Sequence, residues 1–507
     1  MDGVVTNTAD AHFAAWKEVF DDLLRNVADG PSGFRPFTRE DYIAHVDGVP
    51  RHEGIRRFLA SRAIDLPVGD ADDPSDATSR GLGKLKNDRF QYWLDRNAVP
   101  AFDDARALVA ALRHCGMSIG VFSASRNARR VLDSAGVRNL FDTVVDGVDA
   151  GELGLSGKPD PAMLVETARR LDCAPDEVAV VEDALSGVEA GARGRFSLVV
   201  GINRQIAGAR TQGHALRTYG ADLVVRDLRQ LLTDDGAGLR TLDRIPTVWD
   251  RQQDLEARIG GRRLAVFLDY DGTLTPIVED FSKADICGEM VEAIGQLAAR
   301  VPTAIVSGRD LSDVRGRVGL EQVFYAGSHG FDIAGPGDLH ERPEQAGQFL
   351  SPIEAAGNDL EDAIRGIGGA QIERKTFSIA VHVRKVAETD FETVERAVDA
   401  VVGRQPKLRK SRGKKVFEIQ PRAEWDKGNA VEWLLDNTRL GEGDALALYI
   451  GDDLTDEDAF AALSGRGIAI VVRGADRITT ADYALDDAQD VRRFLGWLAA
   501  RIAEPEE

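Results

Sequence analysis

Asp269 and Asp271 stand two residues apart in the run DYDGTL, directly after the apolar run RLAVFL. A loop leaving the end of a buried strand is where open α/β sheets bind their ligands, so both carboxylates are placed for chemistry. The chemistry they suit is phosphoryl transfer. Asp269 can attack phosphorus and carry it as an aspartyl-phosphate, while Asp271 can protonate the leaving oxygen and later deprotonate water. Gly272 permits a tight backbone turn beside the phosphate. Read alone, DYDGT could also be a turn with capping carboxylates.

Hydrolysis by this route also needs cations for the phosphoryl oxygens and a divalent metal, and candidates follow in order along the chain. The run SGR, Ser307 to Arg309, ends the next apolar stretch, where a hydroxyl and backbone amides can hold phosphoryl oxygens. Lys427, in EWDKGNA, opens a helical stretch and can neutralise nucleophile and phosphate together. GDDLTDED, Gly451 to Asp458, follows the apolar run LALYI with clustered carboxylates suited to Mg²⁺, a hard cation that prefers oxygen ligands. By itself an acidic loop more commonly decorates a helix N-terminus. Four elements in this order, three of them after strand-like runs, favour the catalytic reading.

These loops need a scaffold, and the pattern of the chain supplies two. Short apolar runs (SIGVFSAS and EVAVVED, then PTAIVSG and LALYIGDD) alternate with stretches of helical periodicity. That alternation predicts parallel sheets covered by helices, once in each half of the 507 residues. The expected domains are 1–235 and 263–507, joined by a linker over 236–262; the boundary range 228–262 holds a Gly/Asp cluster and then an amphipathic stretch. Residues 12–98 read as a helical cap, and 335–425, with FSIAVHVR and KVFEIQP, as an α+β cap with its own sheet.

The composition fits a soluble globular protein, with 43% hydrophobic and 29% charged residues. A net charge of -21 argues against a nucleic-acid partner and leaves local cations to attract a phosphorylated substrate. No apolar run is long enough for a membrane span, and the N-terminus lacks the pattern of a signal peptide. Cys115, Cys173 and Cys287 lie too far apart in sequence for a disulfide framework or a zinc site to be expected. The chain reads as cytoplasmic.

The second half resembles the haloacid dehalogenase superfamily, and within it the trehalose-6-phosphate phosphatases. DYDGTL, SGR, GSHG, ERK, VHVR, FEIQP, WDKG and GDDLTDED carry the resemblance over about residues 262–500. It implies two haloacid dehalogenase-type Rossmann-like folds and Mg²⁺-dependent hydrolysis of trehalose 6-phosphate. It implies Asp269 as nucleophile, Asp271 as acid/base, and Asp269, the Asp271 carbonyl and Asp452 as Mg²⁺ ligands. It also implies that Glu373, Lys375 and Glu418 of the cap bind the sugar hydroxyls. Spacing alone would make those three a solvated cross-strand charge set. His329, in GSHG, reads either as a packed histidine or as a ligand contact. The basic run from Lys407 to Lys415 reads as a cap loop that could assist phosphate entry.

The first half, about residues 1–203, resembles the β-phosphoglucomutases of the same superfamily. MDGVVTNTADAH supplies Asp2 and His12, VDGVPRHEG supplies Arg51, FSASRNA supplies Ser123, GKPDP supplies Lys158, and VVEDALSGVEAG supplies Glu182 and Asp183. Met1 occupies the middle position of the family's Asp-x-Asp-Gly motif, so the nucleophile and its strand would precede residue 1. Two readings stay open. Either translation begins upstream of this methionine, which the intact remainder of the site favours, or the domain is a non-catalytic scaffold or sugar-phosphate sensor. As written, the first domain is expected to be inactive and the less stable of the two.

Overall fold

The computed structural model describes residues 1–27, 34–46, 51–70, 77–204, 209–278, 283–413, 415–423 and 425–502. The chain divides into two compact units, one of residues 1–204 with 226–229, the other of 205–225 with 230–507. Both have the α/β character expected from the alternating pattern.

The second unit is built on an eight-stranded sheet. Leu264–Leu268 lies inside it and is buried along its whole length, as parallel strands covered on both faces must be. Thr303–Val306 and then Phe324–Gly327 follow on one side, and Leu446–Gly451, Ile468–Val472 and Tyr483–Leu485 on the other, all parallel. Strand order therefore reverses at Leu264–Leu268, and the crevice beyond its carboxyl end opens beside Asp269. The five aliphatic and aromatic residues of that strand alternate between two cores: Leu264, Val266 and Leu268 pack on one face, Ala265 and Phe267 on the other.

A second sheet forms the cap of this unit. Its four antiparallel strands run in the order Gln371–Arg374, Ile379–His382, Val416–Pro421, Leu408–Gly413. Helices Gly347–Ile364 and Glu388–Arg404 share a core with one face through Ile353, Leu360, Val394 and Val398 against Ile379, Val381, Phe417 and Ile419. Period-two alternation turns Glu373, Ala380 and Glu418 to the opposite face, in one cross-strand row.

Two expected boundaries move. Asp332–Gly335 and Leu339–Glu341, which overlap the range expected for the cap, instead add an antiparallel hairpin to the edge of the main sheet. The stretch 236–262 is not a free linker: Leu242, Ile245, Val248 and Leu255 are buried in the second unit's cores. Its Gly/Asp cluster marks a turn before these anchors, and composition alone could not tell a turn from a hinge.

In the first unit, helices Ala9–Val27, Arg39–His45, Arg51–Ser61 and Ser79–Leu94 form the helical cap region. Trp16, Phe20, Phe37 and Phe58 fill its core. Gly120–Phe122 pairs in parallel with Thr143–Val145, and Ala179–Glu182 with Leu198–Ile202, in separate sheets. Among the described residues no helix is long and apolar enough to cross a membrane.

Ile305 sits fully buried in the strand next to the one that carries Asp269. Ile305→Ala is expected to destabilise the second unit by about 2–5 kcal/mol, read as a lower denaturation midpoint; an unchanged midpoint would contradict this packing.

Candidate active site

The backbone sets the loop first. Asp269 N–H donates to the Ile450 carbonyl at 2.8 Å, and the turn beyond closes through Leu274 N–H to Tyr270 O (2.9 Å) and Gly272 N–H to Thr275 O (3.0 Å). Gly272 has φ of +85°, and a Cβ there would lie 2.1 Å from Asp452 Oδ2. Only glycine fits both the left-handed conformation and the approach of the Asp452 carboxylate.

Lys427 begins the helix Lys427–Asn437 and reaches this loop from below. Its buried ammonium donates to Asp269 Oδ1 at 2.8 Å and to Asp456 Oδ1 at 2.7 Å. Burial works against the charge on Lys427, but the Asp269 and Asp456 carboxylates outweigh it and hold the ammonium well above its ordinary pKa. Burial pushes Asp269 up, Lys427 opposes that, and the Asp456 and Asp453 charges add to it. Asp452 is raised in the same way by burial and then by Asp269 and Asp453. One ammonium thus faces an excess of carboxylate.

That excess fits a hard divalent cation. Asp269, Asp452 and Asp456 place oxygens within 4.8 Å of one another. Asp452 Oδ1 is buried with no hydrogen-bond partner among the described residues, as an oxygen kept for a metal would be. Asp456 is different. Its Oδ1 accepts from Lys427 and from the Tyr449 hydroxyl (2.7 Å), and its Oδ2 from the backbone N–H of Asp452 and Asp453 (both 3.0 Å). Asp456 organises the acidic loop, leaving Asp269 and Asp452 as the candidate ligands.

Ser307 and Arg309 stand at the end of the neighbouring strand. Ser307 is buried and its Oγ accepts from Arg309 N–H at 3.1 Å. The Arg309 guanidinium turns to carboxylates: Nε and Nη2 form a two-pronged pair with Asp271 (both 2.7 Å), and Nη1 reaches Asp313 at 2.8 Å. Arg309 therefore engages the acid/base candidate itself, a partner its place in SGR did not reveal.

The cap reaches the same loops through Lys375 and Thr376. Lys375 Nζ donates to Gly308 O at 3.4 Å and lies 3.9 Å from Glu373. Glu373 pairs with His382 at 3.0 Å, and Glu418 accepts from Gln420 at 2.7 Å. Beside them, Asp310 accepts from Thr376 N–H (3.0 Å) and Oγ1 (3.1 Å) of the cap and from Ser328 Oγ (2.9 Å) of the core. His329 packs against Gly308, where a Cβ would meet its ring at 2.8 Å. Burial lowers its pKa to about 4; the Glu418 charge opposes that, and Lys427 and Lys375 reinforce it, so the ring is neutral at neutral pH.

The first unit repeats part of this arrangement. Gly3 has φ of +73°, and a Cβ there would meet Asp183 Oδ2 at 1.9 Å, as Gly272 meets Asp452. Lys158 pairs with Glu182, whose Oε2 accepts from the N–H of Asp183 (2.9 Å) and Ala184 (3.0 Å). Asp2 accepts from Thr8 N–H at 3.0 Å, and Ser123 Oγ from Ser125 N–H at 3.2 Å. From the cap region, His12 stacks on Phe90 and meets Lys86 at 2.7 Å, while Arg51 donates to Gly83 O at 3.2 Å. Lys86, like Asp456, Tyr449 and Asp310, was not singled out from the sequence. Burial and the Arg51 charge bring its pKa down to about 7, with Asp2 opposing.

Comparison with known proteins follows the same division. Residues 267–489 match the trehalose-phosphatase family, and residues 1–195 match haloacid dehalogenase-like hydrolases. The trehalose-phosphate phosphatase of Mycobacterium leprae is 35% identical over 415 residues, 79% of this chain and 93% of its own length. The chain belongs to the trehalose-phosphatase family. A Mycobacterium tuberculosis protein described as an uncharacterized glycosyl hydrolase is 37% identical over 99% of this chain, which spans only 38% of that relative. The solved C-terminal domain of C. albicans trehalose-6-phosphate phosphatase covers 51% of this chain and all of its own, at 24% identity and a TM-score of 0.45.

Within this trehalose-phosphatase family member, Asp452→Asn tests the metal reading without any assay of turnover. Removing one crowded carboxylate is expected to raise the melting temperature of the metal-free protein, by about 2–4 °C for each kcal/mol of repulsion relieved. Mg²⁺ is expected to raise the wild type's melting temperature further, and the same change should abolish that rise. An Asn variant still stabilised by Mg²⁺ would contradict the assignment of Asp452.

Proposed function

We propose that the second unit hydrolyses trehalose 6-phosphate to trehalose and phosphate, as a step of trehalose biosynthesis. The observation that carries this reading is the buried Lys427 bonded to both Asp269 and Asp456 beneath a cap bearing Glu373, Lys375 and Glu418. Asp269 attacks phosphorus and the bond to the sugar oxygen breaks, giving an aspartyl-phosphate on Asp269. Lys427 neutralises charge on the nucleophile and the incoming phosphate. Asp271 gives its proton to the departing sugar oxygen, then takes one from the water that cleaves the aspartyl-phosphate.

Both Asp271 oxygens accept from Arg309, so Asp271 must leave Arg309 to reach the departing sugar oxygen. Asp269, Asp452 and the Asp271 carbonyl would hold Mg²⁺, which would supply charge stabilisation for the phosphoryl oxygens. Glu373, Lys375 and Glu418 grip the sugar hydroxyls, and the cap loop at Lys375 and Thr376, docked on Gly308 and Asp310, excludes water during the first step.

In the first unit, the Lys158–Glu182 pair and Asp183 against Gly3 support the binding of a sugar phosphate, with β-phosphoglucomutase chemistry, which would need a nucleophilic Asp that Met1–Asp2 does not supply, as the alternative reading for that unit.

Phosphate release should be much faster from trehalose 6-phosphate than from glucose 6-phosphate; equal rates would sink the substrate assignment. Asp271→Asn is expected to lower kcat on trehalose 6-phosphate by roughly 10²–10⁴-fold, the usual worth of general acid catalysis. On p-nitrophenyl phosphate, whose leaving group needs no proton, the loss in the first step should be far smaller. Equal losses on both substrates would contradict the acid role.

A further inference from the structure

The helix Ala209–Thr218 belongs to the second unit and lies outside every motif used above. Its His214 is largely buried against Asp426, the residue that caps the helix carrying Lys427. The cap is a closed box. Asp426 Oδ1 accepts from Asn429 N–H at 3.0 Å, and Asn429 Oδ1 accepts from Asp426 N–H at 3.0 Å. His214 closes it from outside, with Nδ1 at 3.0 Å from Asp426 Oδ2 and Nε2 at 2.9 Å from Asn429 Nδ2. Because Asn429 Oδ1 is taken by Asp426, its Nδ2 is the donor, and the neutral imidazole satisfies both contacts only as the Nδ1–H tautomer.

The same helix makes two further attachments. Arg217 pairs with Asp458 at the start of the helix Glu457–Leu463, and the Arg217 carbonyl accepts from Arg409 Nη1 at 3.3 Å. Arg409 in turn donates to Gln420 at 3.2 Å, and Gln420 to Glu418. One helix thus touches the segments that carry Lys427 and Asp456 and the strand pair that carries Glu418.

We infer that His214 is a positioning residue of the phosphatase site, holding the Asp426–Asn429 box so that the Lys427 ammonium stays between Asp269 and Asp456. It acts through Asp426 and touches neither substrate nor metal. A helix start freed from this clamp can shift, and a displacement of about 1 Å at a catalytic group costs up to about a hundredfold in rate. The inference rests on the proposed function, and its test separates the two.

The test uses the full chain with His214→Asn and His214→Gln. The Asn amide stands where Nδ1 does and keeps the bond to Asp426; the Gln amide stands where Nε2 does and loses it. Asn is expected to retain kcat on trehalose 6-phosphate within about threefold, and Gln to lose roughly ten- to a hundredfold, with KM unchanged in both. Amide hydrogen exchange in the first turn of Lys427–Asn437 should quicken in Gln and not in Asn. A Gln variant as active as wild type, or an Asn variant as impaired as Gln, overturns the inference. Absence of phosphate release by the wild type would overturn the proposed function instead, and the exchange measurement still decides the role of His214.

Discussion

A single buried ammonium holds the second unit's chemistry together. Lys427 is almost fully enclosed, and its two short contacts join Asp269, at the end of one strand, to Asp456, beyond another. A buried charge is tolerated only when it is paired and its hydrogen bonds are met, so Lys427 depends on both carboxylates as much as they depend on it. Asp456 then spends its remaining lone pairs on Tyr449 and on the backbone of Asp452 and Asp453, which turns the acidic loop inward. Asp452 is left facing Gly272 with an oxygen that no group among the described residues satisfies. The candidate nucleophile, the acidic loop and the candidate metal ligand follow from one set of contacts.

The constraint extends into the cap. Asp310, next to Arg309, bonds the cap through Thr376 and the core through Ser328, while Lys375 leans on Gly308. The loops expected to hold phosphate are therefore loops on which the cap rests, through Lys375 and Thr376. A neutral His329 sits where the influence of Lys427, Lys375 and Glu418 meets, and it adds no further positive charge there. Cap and core loops are joined here through shared residues, Asp310 and Gly308.

The sheet around Asp269 was legible because five consecutive apolar residues, ending in an Asp-rich loop, admit little besides a buried parallel strand. The candidate nucleophile, lysine and acidic loop were legible for the same reason, each marking the end or start of an element. What lies between elements was not. GDDLTDED holds several carboxylates, and only the turn geometry shows that Asp456 faces Lys427 while Asp452 Oδ1 has no partner among the described residues. The partner of Arg309 depends on how two loops meet across adjacent strands, which spacing does not encode. The stretch 236–262 looked like a linker because its Gly/Asp cluster is polar, yet the sparse leucines and isoleucine behind it anchor it in the core. His214 is the extreme case: it reaches Asp426 from more than two hundred residues away, and no local pattern marks it.

The central claim is that phosphate passes through Asp269. Mixing the enzyme with radiolabelled trehalose 6-phosphate and Mg²⁺, quenching in acid within a turnover, and mapping the labelled peptide tests it directly. Label on the peptide that contains DYDGTL, absent from Asp269→Asn, is the result predicted here. Turnover with no covalent label, or label on a different peptide, would contradict it.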